Sequence, residues 1–401
     1  MNYSQTLAWL FKRLPMYQRV GAPAMRLGLD QMNLLSASLG NPHRSLKCIH
    51  IAGTNGKGST AHMLASVLQT AGYRVGLYTS PHLKDFRERI KINGQPIDKD
   101  IVVDFVNQNL EILEAGNYSF FEATVGLAFS SFAQAQVDVA IIEVGLGGRL
   151  DATNIITPIL SIITHISKDH QQFLGNTIES IAAEKAGIIK ENVPIVLGQN
   201  KESVQKVVLD KAKTLSSSVF FSNQTENYAT DLIGDYQKEN LSTAYTALKI
   251  LKDFDVNENH IREGLQAVSK NTGFEGRWQI LEDSPMVIAD VAHNEAGISA
   301  VMNQLKSMTY DKLHIVFGMV EDKDFDQIQR YLPKDAIYYF CSPKIVRAKA
   351  VDQLYAEANR YGFNGKSYGS VSEALDGAKT IASSSEIILI CGSLFVVSEV
   401  I

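Results

Sequence analysis

Gly53-Thr54-Asn55-Gly56-Lys57-Gly58-Ser59-Thr60 separates an apolar run, Leu46–Ala52, from a segment with helical spacing of apolar residues, Ser59–Ala71. Glycines let backbone N–H groups approach phosphate oxygens, and a following helix N-terminus adds partial positive charge. Lys57 can reach terminal phosphates, and Ser59 or Thr60 can bind Mg²⁺. The stretch departs from G-x-x-x-x-G-K-[ST], because Ile51 replaces the first glycine and Gly58 follows Lys57. It predicts a phosphate-binding loop, with a structural Gly-rich turn as the alternative.

The apolar runs around this loop predict a parallel sheet. They are rich in Val, Ile and Leu, alternate little with polar residues, and are separated by helical patterns, as in strands buried on both faces. A strand, helix and strand in that order form a βαβ unit with a right-handed crossover. The first domain is therefore expected to be α/β and doubly wound. Its candidate strands are Leu46–Ala52, Tyr73–Thr79, Val137–Val144, Ile159–Thr164 and Pro194–Leu197.

A second series of strands and helices predicts a smaller α/β domain. Tyr236–Leu251 is expected to be a helix and Asn271–Phe274 a loop, and we place the boundary just after it. This gives domains of residues 1–275 and 276–401. The candidate strands of the second domain are Met286–Val291, Leu313–Phe317, Ala336–Phe340 and Ile387–Cys391, with a helix at Asp352–Arg360.

Composition excludes several classes of protein. The 401 residues are 45% hydrophobic and 20% charged, which excludes disorder as the main state, and the net charge of −5 argues against a general nucleic-acid binder. Three scattered cysteines, Cys48, Cys341 and Cys391, fit reduced thiols buried in strands. The longest apolar run, Ile387–Val397, is too short to span a bilayer. We expect a cytoplasmic protein without a membrane or nucleic-acid partner.

Polar residues at predicted strand ends are candidates for chemistry, because ligands of α/β sheets bind there. Glu143 ends a buried strand and is a candidate metal ligand, with a structural ion pair as the alternative. His170 follows the next strand and is a candidate metal ligand, with a structural histidine as the alternative. Lys185, taken alone, would be a solvated lysine near a helix end. Arg277, near the boundary, could reach a nucleotide phosphate or form an interdomain ion pair.

Taken together, these motifs resemble the folylpolyglutamate synthase/dihydrofolate synthase family of the Mur ligase superfamily. The resemblance covers nearly the whole chain and accounts for Gly58, since this superfamily carries an additional glycine after the loop lysine. It implies a P-loop-containing, Mur-ligase-like ATPase domain with a parallel sheet, followed by a smaller Rossmann-like glutamate-ligase domain. The motifs are Gly53–Thr60, Thr79–Leu83, Phe120–Glu122, Glu143–Asn154, Asp169–Gly175, Glu184–Ile188 and Gly276–Trp278.

The family implies an ATP-dependent ligase of folate biosynthesis that uses Mg²⁺. It would add L-glutamate to tetrahydrofolate and also to 7,8-dihydropteroate, through an acyl phosphate. Folylpolyglutamate synthase activity alone is the alternative. The expected partners are small molecules, namely the folate or dihydropteroate acceptor, glutamate and ATP, and a monomer is expected.

The resemblance also implies site residues. The catalytic set is Lys57, Glu143, His170 and Lys185, and the metal set is Ser80, Glu143, His170 and Lys185, the last if carbamylated. ATP would contact Thr54, Asn55, Gly56, Lys57, Gly58, Ser59, Thr60, Asn240, Arg277, Asp290 and His293. The acceptor would contact Gly28, Leu29, Asp30, Ser119, Phe120, Phe121, Glu122, Leu150, Asp151 and Ala152.

The chain departs from the family at three positions, since Val291 and Glu295 replace the usual Gly and Pro, and Tyr236 stands where His is common.

Two other functions remain open. A Mur-type ligase acting on a nucleotide-linked sugar peptide would need an additional N-terminal domain, for which residues 1–52 leave no room. A nucleotide-binding regulator or GTPase would need a guanine-reading N-K-x-D motif, and Ser167-Lys168-Asp169 resembles it only faintly, because the Asn is missing and the spacing differs.

Overall fold

A computed structural model describes residues 1–16, 28–223 and 228–401. The described residues form two compact units. The first contains residues 1–16, 28–223, 228–231 and 237–274, and the second contains residues 232–236 and 275–401. None of the helices among the described residues is long and apolar enough to cross a membrane.

The first unit is built on an eight-stranded sheet with the order β4-β3-β2-β5-β1-β6-β7-β8. Six of these strands are parallel, and β3 and β4 run antiparallel at one edge. The strands are β1 (Cys48–Ala52), β2 (Val75–Tyr78), β3 (Ile90–Ile92), β4 (Gln95–Pro96), β5 (Val139–Glu143), β6 (Leu160–Ile163), β7 (Ile195–Leu197) and β8 (Val219–Phe221).

Twelve described α-helices belong to this unit. They are α1 (Tyr3–Arg13), α2 (Asp30–Ser38), α3 (Lys57–Thr70), α4 (Lys99–Gln108), α5 (Leu110–Ala115), α6 (Phe120–Gln134), α7 (Gln171–Leu174), α8 (Ile178–Lys185), α9 (Glu202–Thr214), α10 (Gln237–Ile250), α11 (Glu258–Leu265) and α12 (Val268–Thr272). Short 3₁₀ helices lie at Pro42–Ser45, Phe86–Arg89, Ala152–Ile155 and Ala186–Ile188.

The central strand β1 places the predicted site motifs at one edge of the sheet. It is buried along its whole length and pairs in parallel with β5 and β6. Ile51 lies opposite Glu143, and Ala52 lies opposite Ile163. Because parallel strands end at the same edge, the segments that follow Ala52, Glu143 and Ile163 meet there. The phosphate loop is the first of these segments.

The second unit contains a six-stranded sheet with the order β13-β12-β11-β14-β10-β9. Only β9 is antiparallel to its neighbour. The strands are β9 (Gln279–Asp283), β10 (Met286–Ala289), β11 (Leu313–Phe317), β12 (Ile337–Phe340), β13 (Gly365–Ser367) and β14 (Ile387–Cys391). The helices are α13 (Glu295–Lys306), α14 (Phe325–Ile328), α15 (Val351–Arg360), α16 (Val371–Ile381) and α17 (Leu394–Val397), with a 3₁₀ helix at Gln329–Tyr331.

All nine predicted strands are present, with ends that differ by at most two residues. The parallel strands predicted from the apolar runs are confirmed, whereas the antiparallel strands β3, β4 and β9 were not predicted, because short strands at or next to a sheet edge give little hydrophobic signal. Asn271–Phe274 is not wholly a loop. Helix α12 continues to Thr272, whose hydroxyl donates to the Val268 carbonyl, and Gly273 then ends the helix in a left-handed conformation. The three cysteines are buried and free, as predicted, although only Cys48 and Cys391 lie in strands and Cys341 directly follows β12.

Candidate active site

The phosphate loop is held in shape by the segment that follows β6. The Thr54 N–H donates to the His165 carbonyl at 2.8 Å, and the Thr164 hydroxyl donates to the Asn55 carbonyl at 2.7 Å. Gly53 has φ +154°, and a Cβ there would lie 1.8 Å from the Thr164 hydroxyl oxygen. Only glycine therefore fits this close approach.

Asn240 lies against the same loop, although it is far away in the sequence. Gly56 has φ +88°, and a Cβ there would lie 2.1 Å from the Asn240 Oδ1 atom. The Asn240 amide is buried and donates to Gln237 Oε1 at 2.8 Å. Helix α10 thus carries the predicted ATP-contacting asparagine to the turn from which α3 begins.

Glu143 and Ser80 meet beside the start of α3. The Ser80 N–H donates to Glu143 Oε2 at 3.1 Å, and the Glu143 side chain is buried. A Cβ on Gly58 would lie 3.8 Å from that carboxylate oxygen, so this glycine of the phosphate loop lies next to the acid. The buried Thr60 hydroxyl makes no hydrogen bond to the part of the chain that the structure describes.

Lys57 and Lys185 converge on one carbonyl oxygen. Both ammonium groups donate to the Gly53 carbonyl, Lys57 at 3.2 Å and Lys185 at 2.7 Å. Lys185 is only 4% exposed, which corrects the expectation of a solvated lysine. Burial, together with the charge of Lys57, lowers the pKa of the Lys185 ammonium to about 7. A substantial fraction of this amine is therefore neutral, and nucleophilic, near neutral pH.

His170 follows β6 in a left-handed conformation, with φ 48°. Such a backbone is uncommon for a residue other than glycine and is found more often at functional sites. The His170 N–H donates to Asp169 Oδ1 at 2.8 Å, and the ring Nε2 lies 3.9 Å from the same oxygen. The imidazole is thus close to a carboxylate, and the hydrogen bond to that carboxylate comes from the His170 backbone.

The donors at this edge of the sheet fit a divalent cation in part. Glu143 offers a buried carboxylate, and Thr60 offers a hydroxyl without a hydrogen-bond partner among the described residues. Both are oxygen donors of the kind that Mg²⁺ prefers. Yet no group of three or more His, Cys, Asp or Glu residues with metal-binding geometry occurs among the described residues. A carbamate on Lys185 would supply one more carboxylate at this edge. The residues at this edge of the sheet therefore fit a divalent cation best when Lys185 is carbamylated.

The predicted acceptor segments divide into structural and accessible residues. Ser119 and Glu122 form the capping box of α6: the Ser119 N–H and hydroxyl both donate to the Glu122 carboxylate, at 2.7 and 2.8 Å. Phe120 is 2% exposed and packs in the core, with its ring 5.9 Å from that of Phe86. Phe121 is half-buried. Of these four residues, Phe121 is the best placed to contact a ligand.

Asp151 lies next to Phe121 and is part of a buried hydrogen-bond chain. A Cβ on Gly145 would lie 2.4 Å from the Phe121 ring and 3.2 Å from Asp151 Oδ2. Both side chains therefore lie against the backbone of Gly145. The Thr153 hydroxyl donates to Asp151 Oδ1 at 2.5 Å and lies 2.9 Å from His50 Nε2. Because the hydroxyl proton goes to Asp151, His50 Nε2 must be the donor to Thr153.

The remaining acceptor residues surround the same elements. Leu29 and Asp30 begin α2, which packs against α6 and against the 3₁₀ helix at Ala152–Ile155. Asp30 is exposed, Gly28 and Leu150 are half-buried, and Ala152 is buried. Packing thus places helix α2, helix α6 and the segment after Asp151 side by side.

In the second unit, Asp290 organises the segment that carries Arg277. The Trp278 N–H donates to Asp290 Oδ2 at 2.8 Å, and the Ala292 N–H donates to Oδ1 at 2.9 Å. Burial raises the pKa of Asp290 above its ordinary value, while the hydrogen bonds and Arg277 act in the opposite direction. The His293 ring Nδ1 lies 2.9 Å from the Val291 carbonyl, so the ring is held by its own turn.

Comparison with known proteins identifies the family. The Mur ligase middle domain matches residues 51–257, and the glutamate ligase domain of Mur ligases matches residues 276–394. The dihydrofolate synthase/folylpolyglutamate synthase of Bacillus subtilis is 34% identical over 99% of this chain and 98% of its own length. The chain belongs to the folylpolyglutamate synthase/dihydrofolate synthase family of Mur ligases.

Solved structures agree with this assignment. Escherichia coli FolC in complex with DHPP and ADP has 31% identity and a TM-score of 0.88, covering 100% of this chain and 97% of that one. A bifunctional folylpolyglutamate synthase/dihydrofolate synthase with Mn, AMPPNP and L-glutamate bound has 29% identity and a TM-score of 0.85, with coverage of 100% and 97%. The predicted fold class and an ATP-dependent ligase that uses a divalent cation are confirmed.

Sequence reasoning missed several residues. His50, Thr153 and Thr164 support Asp151 and the phosphate loop, but each looks like an ordinary strand or loop residue. A histidine within an otherwise apolar buried strand was the available signal for His50. The Arg89 Nε–H donates to His82 Nδ1 at 2.7 Å, and His82 lies in the Thr79–Leu83 motif, from which only Ser80 was selected.

Proposed function

We propose that this chain uses ATP to join L-glutamate to tetrahydrofolate and to 7,8-dihydropteroate. The observation that carries the proposal is the convergence of Lys57 and Lys185 on the Gly53 carbonyl, at the sheet edge where Glu143 lies. The Lys57 cation at the phosphate loop suits a reaction between two anions, and the Lys185 amine, at the same carbonyl, suits a carbamate that would help to hold a divalent cation. Relatives with these activities are similar over the whole chain.

The chemistry needs an activated carboxylate. In the proposed reaction an oxygen of the acceptor carboxylate attacks the γ-phosphorus of ATP, giving an acyl phosphate and ADP. The amine of glutamate then attacks the acyl carbon, an amide bond forms, and inorganic phosphate leaves with the electron pair of the broken C–O bond. Lys57 would offset the repulsion between carboxylate and phosphate in the first step.

Ser80, Glu143, His170 and Lys185, as its carbamate, would hold the divalent cation. When bound, the cation supplies positive charge for the phosphate oxygens and the attacking carboxylate. Within the chain, the Ser80 N–H orients the Glu143 carboxylate, and the Asp169 carboxylate accepts from the His170 backbone N–H. The Thr60 hydroxyl is a further oxygen donor at the start of α3.

Phe121 and Asp151 are proposed to recognise the pterin end of the acceptor. A flat heteroaromatic ring stacks on an aromatic side chain, and a carboxylate accepts from its N–H groups. The Thr153 hydroxyl orients that carboxylate. We assign the acceptor and phosphate-loop residues to the proposed domain 1–275, and Arg277, Asp290 and His293 to the proposed domain 276–401.

The deciding experiment measures ADP release with each acceptor in turn. We expect release with 7,8-dihydropteroate and with tetrahydrofolate, in both cases only when millimolar glutamate is present. Release with tetrahydrofolate alone would establish the alternative, folylpolyglutamate synthase activity only. No release with either acceptor would refute the proposal.

We also propose that the enzyme is monomeric and cytoplasmic. Sedimentation of the purified protein tests the oligomeric state.

A further inference from the structure

The turn that carries Arg277 has a strained backbone. Gly276 has φ 77° and Trp278 has φ 45°, so two of its three residues are left-handed. For a bulky residue such as tryptophan this conformation is a true outlier that the surrounding structure must maintain. The strain lies next to Arg277, the proposed phosphate contact of the second unit.

Hydrogen bonds from three directions hold this turn. The Gly276 N–H donates to Gln279 Oε1 at 2.8 Å, and the Val291 N–H donates to the Gly276 carbonyl at 3.1 Å. The Trp278 N–H donates to Asp290 Oδ2, and the Trp278 side chain is 3% exposed in the core of the second unit. Asp290 is therefore the side chain that fixes the left-handed residue directly.

Tyr236 completes this arrangement. Its hydroxyl donates to the same Asp290 Oδ2 atom that accepts from Trp278, at 2.5 Å. Tyr236 lies in the segment 232–236 of the second unit, which is separated in sequence from the turn, and its ring packs against the core that contains Trp278. The bond from Tyr236 thus links a remote segment to the carboxylate that holds the turn.

We propose that Tyr236 is a positioning residue for nucleotide binding, because its hydroxyl fixes the Asp290 carboxylate and through it the strained Gly276–Trp278 turn. The proposal rests on the proposed function in one respect, namely that Arg277 contacts ATP. A carboxylate that loses the hydroxyl donor can rotate away from the Trp278 N–H. The turn then relaxes toward ordinary backbone angles, and Arg277 moves with it.

The chain contains only two tryptophans, Trp9 and Trp278, which allows the turn to be observed directly. In a W9F background the emission of Trp278 reports on the environment of the turn without nucleotide. The test variant is Y236F. The matched control is Y338F, because the Tyr338 hydroxyl also makes one hydrogen bond within the second unit, to the Pro333 carbonyl at 2.7 Å. ADP with Mg²⁺ is the binding probe, measured by calorimetry.

We expect Y236F to raise the Kd for ADP about tenfold, the effect of losing one hydrogen bond to a charged acceptor. Trp278 emission should shift to longer wavelength, and acrylamide should quench it more strongly. Y338F should lower the midpoint of thermal unfolding while leaving Kd and emission unchanged. If Tyr236 acts through Asp290, Y236F should add no further loss in a D290N background.

Unchanged Kd and emission in Y236F would overturn the proposal, and so would equal changes in Y338F. If Y236F does not fold, D290N replaces it for the emission measurement, and an unchanged emission spectrum is then the contrary result. A parent protein that binds no ADP would refute the proposed function instead. The emission comparison would still decide whether Tyr236 holds the turn.

Discussion

The Lys57 and Lys185 side chains donate to the same oxygen atom, the carbonyl of Gly53. Lys57 begins helix α3, whereas Lys185 ends helix α8, so the two cations come from opposite ends of different helices. The positive charge of Lys57 disfavours the charged form of Lys185. Because Lys185 is buried, desolvation adds to the repulsion from Lys57, and together they lower the pKa of Lys185 to about 7.

Replacement of Lys185 should abolish most of the activity without unfolding the protein. We expect K185A to lower kcat for ADP release by about 10²-fold or more, since it removes a group that supports charge in the transition state. The control is K91A. Lys91 is 5% exposed, and its ammonium donates to the Thr272 carbonyl at 2.7 Å, so it matches Lys185 in burial and type of partner. K91A should lose stability and keep kcat within a few-fold. Full activity of K185A would reject the metal-supporting role.

Carbamylation of Lys185 should depend on pH and on dissolved CO₂. Only a neutral amine attacks CO₂, so with a pKa of about 7 activity should rise as the pH increases through 7. Removal of CO₂ should lower activity, and bicarbonate should restore it. Labelled ¹³C-bicarbonate should give a carbamate carbon signal that K185A lacks. An activity profile that is flat between pH 6 and 8, together with no such signal, would contradict the prediction.

The same lysine affects stability, with a definite sign. Its pKa in the folded protein is below its value of about 10.4 in an unfolded chain. Between these values the unfolded state binds more protons, so stability should increase as the pH rises from about 7 to about 10. The K185A variant should show a smaller increase over this range, measured by urea unfolding.

Substitution of Gly56 should damage nucleotide binding. In G56A the methyl group would collide with the Asn240 amide, whose Oδ1 lies 2.1 Å from the Cβ position. We expect the Kd for ADP to rise at least about tenfold. G72A is the matched control, because Gly72 has φ +91° and no atom of the described residues lies within 4 Å of its Cβ position. The G72A variant should lose about 1 kcal/mol in its free energy of unfolding, because of backbone strain alone, and its Kd for ADP should stay unchanged. Similar Kd values for both variants would refute this explanation.

Loss of the Thr153 hydroxyl should weaken acceptor binding selectively. T153V keeps the shape of the side chain but removes the donor to Asp151 and the acceptor for His50. We expect KM for the pteroate acceptor to rise about tenfold and KM for ATP to stay unchanged. The control is T124V, since the equally buried Thr124 hydroxyl donates only to the Phe120 carbonyl within helix α6. A rise in KM for ATP as large as that for the acceptor would contradict the assignment.

Much of the fold could be predicted because its signals are local. Buried parallel strands are continuous apolar runs, and β11 and β14 were predicted to the residue. The antiparallel edge strands β3 and β4 were not predicted, because their five residues carry no periodic pattern long enough to detect. Edge pairing is decided by which backbone groups are left open once the central strands have assembled.

Some residues of the candidate site could likewise be predicted from the sequence, and others could not. The phosphate loop, Glu143 and His170 follow strand ends and could be selected from the sequence. Whether Ser119 and Glu122 face a ligand or each other could not, because a capping box and a ligand contact use the same side chains. The structure shows the capping interaction, and contact of this pair with the acceptor stays a prediction.

By itself the sequence determined the order of strands and helices, the phosphate loop and the family, because hydrophobic runs, glycines and motif spacing are properties of neighbouring residues. Only the tertiary structure decided the chemical state of the polar residues. It brings Lys185 to Gly53 across 132 positions and His50 to Thr153 across 103. Burial and long-range partners set a pKa and a tautomer, and neither quantity is encoded in the residues next to the group in the chain.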